Sequence, residues 1–190
     1  LNDHWQILPR ASLTYKMKDF YLSAIAGLYQ QLPENNFLLR NQHLSAERCW
    51  QYILGAYHEA NGKTFRLEVY NKKYHNLATN LNNYYKSDGY GYARGIDLFL
   101  NDREVVKNLE YMLAYSYNDS KRKYGDYPAE AMPQYATRHN LSLALKYWVQ
   151  PIRSTIGITD RYASCRPYHN PNEEGFMQHT TSPYNSLDLS

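Results

Sequence analysis

The side chains that could do chemistry in this 190-residue chain are seven histidines, a few carboxylates and an excess of phenols. His4, His43, His58, His75, His139, His169 and His179 are scattered. No pair has the i, i+4 spacing that puts two imidazoles on one helix face for zinc. A metal centre is therefore not expected. Glu173-Glu174 is an adjacent acid pair in a polar stretch and reads as a solvated turn. Ser, His and Asp occur without a nucleophile elbow, so nothing supports a triad. Gly89-x-Gly91 and Gly95 lack the helical pattern that follows a phosphate-binding loop; glycines on a strand mark bends or close packing. Neither a cofactor nor an enzymatic activity is expected.

Ligand contact is the chemistry that remains. Tyr occurs 21 times and Phe 5 times. A Tyr ring stacks on a sugar or an aromatic chelate while its hydroxyl donates a hydrogen bond. Tyr84, Tyr85, Tyr90, Tyr124, Tyr127, Arg166 and Tyr168 lie in or beside long polar links and are the ligand-contact candidates, with Tyr184 nearby. The plainer reading of each is loop packing or placement at a water interface.

Net charge is +3 with both signs interspersed. The densest basic run, Lys121-Arg122-Lys123, reads as a short loop cluster, so no nucleic-acid partner is expected. There is no apolar run of ~18 residues from which to build a transmembrane helix. The chain opens on Leu1 rather than Met, and the expectation is that this is not its natural start. Cys49 and Cys165 either pair in an oxidising compartment or stay as thiols; the sequence leaves both open.

The elements that must carry these residues are strands, because apolar residues recur with a period of two along the whole length. Segments are expected at Pro9–Met17, from Phe20, at about 46–58, from Phe65, at 89–100, at 109–118, at 141–149, at 154–164 and from Tyr184. The sixth sets Leu109, Tyr111, Leu113, Tyr115 and Tyr117 against Glu110, Met112, Ala114, Ser116 and Asn118. Asn61-Gly62 marks a tight hairpin. Short links fall near 18–19, 61–62, 101–106 and 150–153. Long ones fall near 31–44, 76–88, 119–138 and 166–183. Strands of about ten residues, with short turns on one side and long loops on the other, describe a bacterial outer-membrane barrel. Outward Tyr15, Tyr117, Tyr147 and Tyr162 then belong to its aromatic girdles. The competing class is a soluble or surface-tethered β-rich module, for instance glycan-binding, whose strands alternate as well.

Several stretches resemble one family in order: "LSAERCWQYILGAY" (44–57), "NGKTFRLEVYNKKYHNL" (61–77), "GYGYARGIDLFLNDREVVKNLEYMLAYSYNDSKRKYGDYP" (89–128), "HNLSLALKYWV" (139–149) and "RYASCRPYHNPN" (161–172). They look like the late barrel strands of TonB-dependent outer-membrane receptors of the Bacteroidetes type. The resemblance implies a barrel of about 22 strands closed by a separate plug domain. It implies import of a scarce nutrient, such as an iron-siderophore, cobalamin, a glycan or a peptide, with energy relayed by TonB through the plug. Implied partners are outer-membrane lipid, the rest of the barrel with its plug, and possible surface lipoproteins.

The fold expected is all-β, an antiparallel transmembrane β-barrel in part: about eight strands and the start of a ninth, with residues 1–190 a fragment of one barrel domain and the plug absent. Four residues sit awkwardly. Asp160 holds a lipid-facing register and should lie near an interface or shift it; Arg94 must snorkel; Ile25 and Ile53 face the lumen, where they could touch a plug. Leu143→Arg is expected to damage membrane assembly by roughly 2–4 kcal/mol, and Ser142→Arg far less. Equal unfolding free energies in micelles for the two variants would contradict the assigned faces.

Overall fold

The computed structural model describes residues 6–190, so His4 lies outside the described residues. In chain order the strands are β1 (Arg10–Met17), β2 (Phe20–Gln31), β3 (Glu47–Ala60), β4 (Lys63–Leu81), β5 (Tyr84–Asp102), β6 (Leu109–Lys123), β7 (His139–Val149), β8 (Ser154–Ala163), β9 (Pro167–Tyr168), β10 (His179–Thr180) and β11 (Tyr184–Leu189). A four-residue helix α1 (Asn35–Leu38) interrupts the β2–β3 link. Nine strands form one sheet in the order β1-β2-β3-β4-β5-β6-β7-β8-β11, while β9 and β10 pair separately. Every neighbouring pair in the large sheet is antiparallel. It is an open meander, part of a barrel wall.

Because side chains alternate across a strand and register is kept, each face is continuous. One row runs Tyr15, Leu22, Ala56, Leu67, Leu98, Tyr115, Leu141, Tyr162. Its neighbour one residue along, on the other face, runs Lys16, Tyr21, Tyr57, Arg66, Phe99, Ala114, Ser142, Arg161 and Ser186. The first face carries Leu13, Leu54 and Leu187 at 72%, 62% and 62% exposure. A sheet whose outward face bares Leu22, Val69, Ile96 and Ile156 as well has oil, not water, as the solvent on that side. Tyr15 and Tyr147 share this face near the short turns, Tyr117 and Tyr162 near the long loops.

The short turns follow from local backbone chemistry. Asn61 and Gly62 both hold positive φ, 50° and 68°, the twist a two-residue hairpin needs. Asp102 accepts backbone N–H bonds from Glu104 and Val105 at 2.8 and 3.0 Å and so closes the β5–β6 turn.

On the opposite side the structure departs from expectation. The link at 76–88 is not a loop. Strands β4 and β5, 19 residues each, continue as a ribbon to a two-residue turn at Asn82-Asn83, again with both φ positive (52° and 64°). Asn tolerates the left-handed region, which let a polar stretch without glycine at its tip form a tight turn. Likewise β6 runs to Lys123, so Lys121-Arg122-Lys123 is strand and not loop. Asp160 keeps its register between Leu143 and Leu187, three residues from the outer end of β8. Arg94 is held by Asp119 on the same face, Nη2 to Oδ2 2.8 Å. Ile25 and Ile53 pair with each other on the polar face.

Since Leu143 neighbours Asp160, an arginine there would meet a carboxylate, and the cleaner probe is Leu98, between Leu67 and Tyr115. Leu98→Arg should cost roughly 2–4 kcal/mol in urea unfolding from micelles of the full-length protein. Ser116→Arg, on the polar face beside Asp97, should cost much less.

Candidate functional site

Apart from Ala93, Asp102 and Ser120 in β5 and β6, the well-buried residues gather at one end of the sheet. Leu77, Ala78, Thr79, Pro133, Ala136, Thr137 and Met177 cluster at the long-loop end, where the links fold over β4. A bulge starts this. Asn76 adopts φ 56°, the β4–β5 register shifts on either side of Leu77, and bulges re-aim the side chains beyond them. The β6–β7 link then docks along the ribbon: Asn80 N–H donates to the Gly125 carbonyl at 2.7 Å and Gly125 N–H to the Ala78 carbonyl at 2.8 Å. The β2–β3 link leans on the other side, with Asn41 Nδ2 donating to the Tyr85 carbonyl at 2.9 Å and Phe37 edge-on to Tyr85.

Between these links and the polar face of β2, β3 and β4 lies a cavity of about 660 Å³. Tyr29, Gln51, Tyr74, Arg122, Tyr124 and Tyr135 line it, with Cys49, a free thiol, and Glu47. Glu47 is a fastener: Oε1 accepts the Ala78 N–H at 2.9 Å and Oε2 accepts Gln31 Nε2 at 2.8 Å. Arg122 is the centre. Its guanidinium sits 4.1 Å above the Tyr74 ring, donates to the Tyr74 hydroxyl at 3.0 Å and to the Tyr135 hydroxyl at 3.1 Å. Its Nε is buried with no partner, and no carboxylate among the described residues forms an ion pair with it. Burial, with the phenols of Tyr127 and Tyr135 beside it, holds Tyr124 above the usual phenol range, so it stays a neutral donor at physiological pH.

Glycine makes the Arg122 contact possible. Tyr74, Gly91 and Arg122 stand in one row across β4, β5 and β6, and Arg122 reaches Tyr74 by lying over Gly91. A β-carbon on Gly91 would fall 2.7 Å from Arg122 Cγ and against the Lys121 carbonyl oxygen. The same device recurs at Gly95, which Tyr70 crosses to donate to Asn118 Oδ1 at 3.3 Å. At Gly55, the Tyr57 ring folds over the glycine so that its hydroxyl donates to Glu68.

Of the residues expected to contact ligand, Tyr124 lines the cavity. Tyr127 stands behind it, ring centroids 4.7 Å apart, and touches Phe176. Tyr85 supports the rim through Phe37. Tyr84 is exposed at the ribbon tip, and Tyr90 shares the outward face with His75 and Lys123. Tyr168 packs on His179, and the Arg166 N–H donates to Thr181 Oγ1; both belong to the β8–β11 link. Tyr184 begins β11 on the polar side, opposite Ala163. Sequence reasoning missed Tyr29, Gln51, Tyr74, Tyr135 and Arg122. Arg122 was findable: extending the alternation of β6 past Asn118 puts it in phase with Ser116 and out of phase with Lys121 and Lys123. Among the described residues no three His, Cys, Asp or Glu side chains converge on a metal position.

A membrane-spanning sheet segment with a folded outer rim over a polar, Tyr- and Arg-lined cavity defines a piece of an outer-membrane receptor barrel. The family comparison is specific: residues 1–190 match the TonB dependent receptor-like β-barrel model, and the chain belongs to that family. It thus lies in the bacterial outer membrane, and its family comprises transporters and not enzymes. This decides against the soluble module. Solved structures share the fold. The ferric-catecholate import receptor Fiu of E. coli K12 is 13% identical with TM-score 0.74, covering 95% of this chain and 27% of that one. The siderophore receptor PiuA of Acinetobacter baumannii is 16% identical with TM-score 0.75, over 95% and 28%. The FrpB iron transporter of Neisseria meningitidis is 14% identical with TM-score 0.72, over 96% and 30%. This chain therefore spans less than a third of each of those relatives. No curated protein sequence matches it.

Gly91→Ala should destabilise the folded barrel by about 1–3 kcal/mol, because the added methyl has no room between the Lys121 carbonyl and Arg122. Wild-type stability in urea unfolding from micelles would mean that Arg122 does not cross β5 there.

Proposed function

We propose that this chain forms wall and outer rim of a TonB-dependent importer of the Bacteroidetes type, and that its cavity receives the cargo at the cell surface. One barrel domain includes these residues, the rest of the full-length protein supplies further strands and a plug, and TonB acts through that plug. Open edges support this reading: among the described residues β1 and β11 each have one unpaired side, and unsatisfied backbone groups in lipid cost several kcal/mol each, so other strands must cover them.

The observation that carries the cargo site is the fixed, unneutralised guanidinium of Arg122 between two phenols at the outer end of the lumen. A cation held by neutral acceptors, with no carboxylate paired to it among the described residues, is built for a ligand that brings negative charge. Ferric chelates fit: they combine anionic oxygens with flat surfaces for Tyr to stack on, and relatives of the same fold are described as ferric-catecholate, siderophore and iron receptors. Glycan, peptide and cobalamin cargoes are the other members of the class.

The test is binding of ferric catecholate, ferric citrate, cobalamin and an oligosaccharide to the full-length protein in detergent, followed by Tyr and Trp fluorescence. A ferric chelate should quench the signal, and Arg122→Gln should weaken that binding at least about tenfold, the loss of one charge-assisted bond. Tyr135→Phe should weaken it less. Binding of every chelate unaffected by Arg122→Gln would remove the cavity from consideration.

A further inference from the structure

The outward face of β3, β4, β5 and β6 changes chemistry at one level. Below it stand Leu54, Val69, Ile96 and Tyr117; one step up comes Tyr52, Asn71, Arg94, Asp119; the next row is Trp50, Lys73, Tyr92, Lys121; and the next is Arg48, His75, Tyr90, Lys123. All of these lie on the long-loop side of the apolar band. The ten steps from Lys63 to Lys73, at about 3.3 Å each and tilted by roughly 40°, span approximately 25 Å, the height of an apolar belt. Lys73 and Lys121 thus stand where hydrocarbon gives way to headgroups.

Charge there is unbalanced. Arg94 is paired with Asp119 and Lys123 lies 3.8 Å from Asp88. Arg48, Lys73 and Lys121 are exposed and have no carboxylate partner among the described residues. Trp50 and Tyr52 stack beside them, and the Arg94 guanidinium lies 5.3 Å from the Tyr92 ring. These four strands are internal to the sheet, each hydrogen-bonded on both sides, so no missing strand covers this face. Lys73 and Lys121 flank β5 at roughly 10 Å, close enough for their flexible stems to bring both ammonium groups to one phosphate over Tyr92.

We infer that this patch binds the phosphorylated headgroup of an anionic outer-leaflet glycolipid, and so anchors the receptor at a fixed depth and tilt. Continuity with the lipid-facing band selects a lipid as the occupant, and the sign of the charge selects its phosphate. Lys73, Tyr92 and Lys121 point away from the bore and take no part in the cargo cavity, whose rim Arg48 borders one row higher.

The experiment reconstitutes the full-length protein into phosphatidylcholine vesicles with or without lipid A and reads the unfolding midpoint. Lipid A should raise the midpoint of the wild type. The triple variant Arg48→Gln, Lys73→Gln, Lys121→Gln should lose more than half of that rise, and Lys73→Arg with Lys121→Arg should keep it. Each rise is measured within one variant, so a general loss of stability cancels. An equal rise in the wild type and the triple variant, no rise at all, or the same rise from inorganic phosphate added to plain phosphatidylcholine vesicles would overturn the assignment.

Discussion

The constraint on which this structure depends is that no backbone polar group can be left bare in hydrocarbon. Nine antiparallel strands meet it by pairing with unbroken register through the wall, and unbroken register in turn forces parity. Once Leu67 faces oil, so must Leu98, Tyr115 and Leu141, and Arg66, Phe99, Ala114 and Ser142 must face the bore. The outer solvent thus dictates the composition of the inner one. A bulge inside the wall would break this correspondence. The irregularities at Leu77 occur in β4 only beyond Lys73, where water can satisfy a displaced group.

The same parity explains how a thin wall can build a cavity. Among the described residues, polar side chains on the bore side find partners along the sheet. Cross-strand contact between next-nearest strands requires an empty position between them. Gly91 provides it for Arg122 and Tyr74, Gly95 for Asn118 and Tyr70. Each contact ties three strands at a cost in β-propensity at the middle one. The glycine-rich segment of β5 is therefore less a flexible strand than a track across which β4 and β6 are linked.

The wall was legible in the sequence because membrane strands obey one strong local rule. Every outward residue assigned from alternation, from Leu13 to Leu189, falls on the exposed apolar face. The links were legible only in part. The 76–88 stretch has the polar composition of a loop, yet outside the membrane both faces of a ribbon meet water, and alternation loses its hydrophobic contrast while the strand continues. The cavity was harder still. Tyr135 and Arg122 are 13 positions apart and meet only because the β6–β7 link folds back, with Ala131 bonded to Arg122 through backbone groups at 2.8 and 3.1 Å. Nothing periodic encodes such a return. Tyr124 was reachable as a Tyr in a long link; its neighbours Tyr29 and Tyr74 sit within strands, where alternation gives the face and nothing marks a cavity.

Dividing the tyrosines by face resolves that ambiguity and carries a functional consequence. Outward phenols such as Tyr15, Tyr147 and Tyr162 stand toward the ends of the apolar face, the level at which aromatic rings border a membrane's headgroups. Bore-side phenols such as Tyr57 and Tyr70 donate to Glu68 and Asn118, while Tyr74 stacks on Arg122. Residue type is shared; what differs is the solvent each phenol would otherwise meet. A bore-side Tyr replaces water with a side chain held in place. That leaves Arg122 with its charge unneutralised and its position fixed, so at the proposed cargo site little ordering would remain to oppose binding.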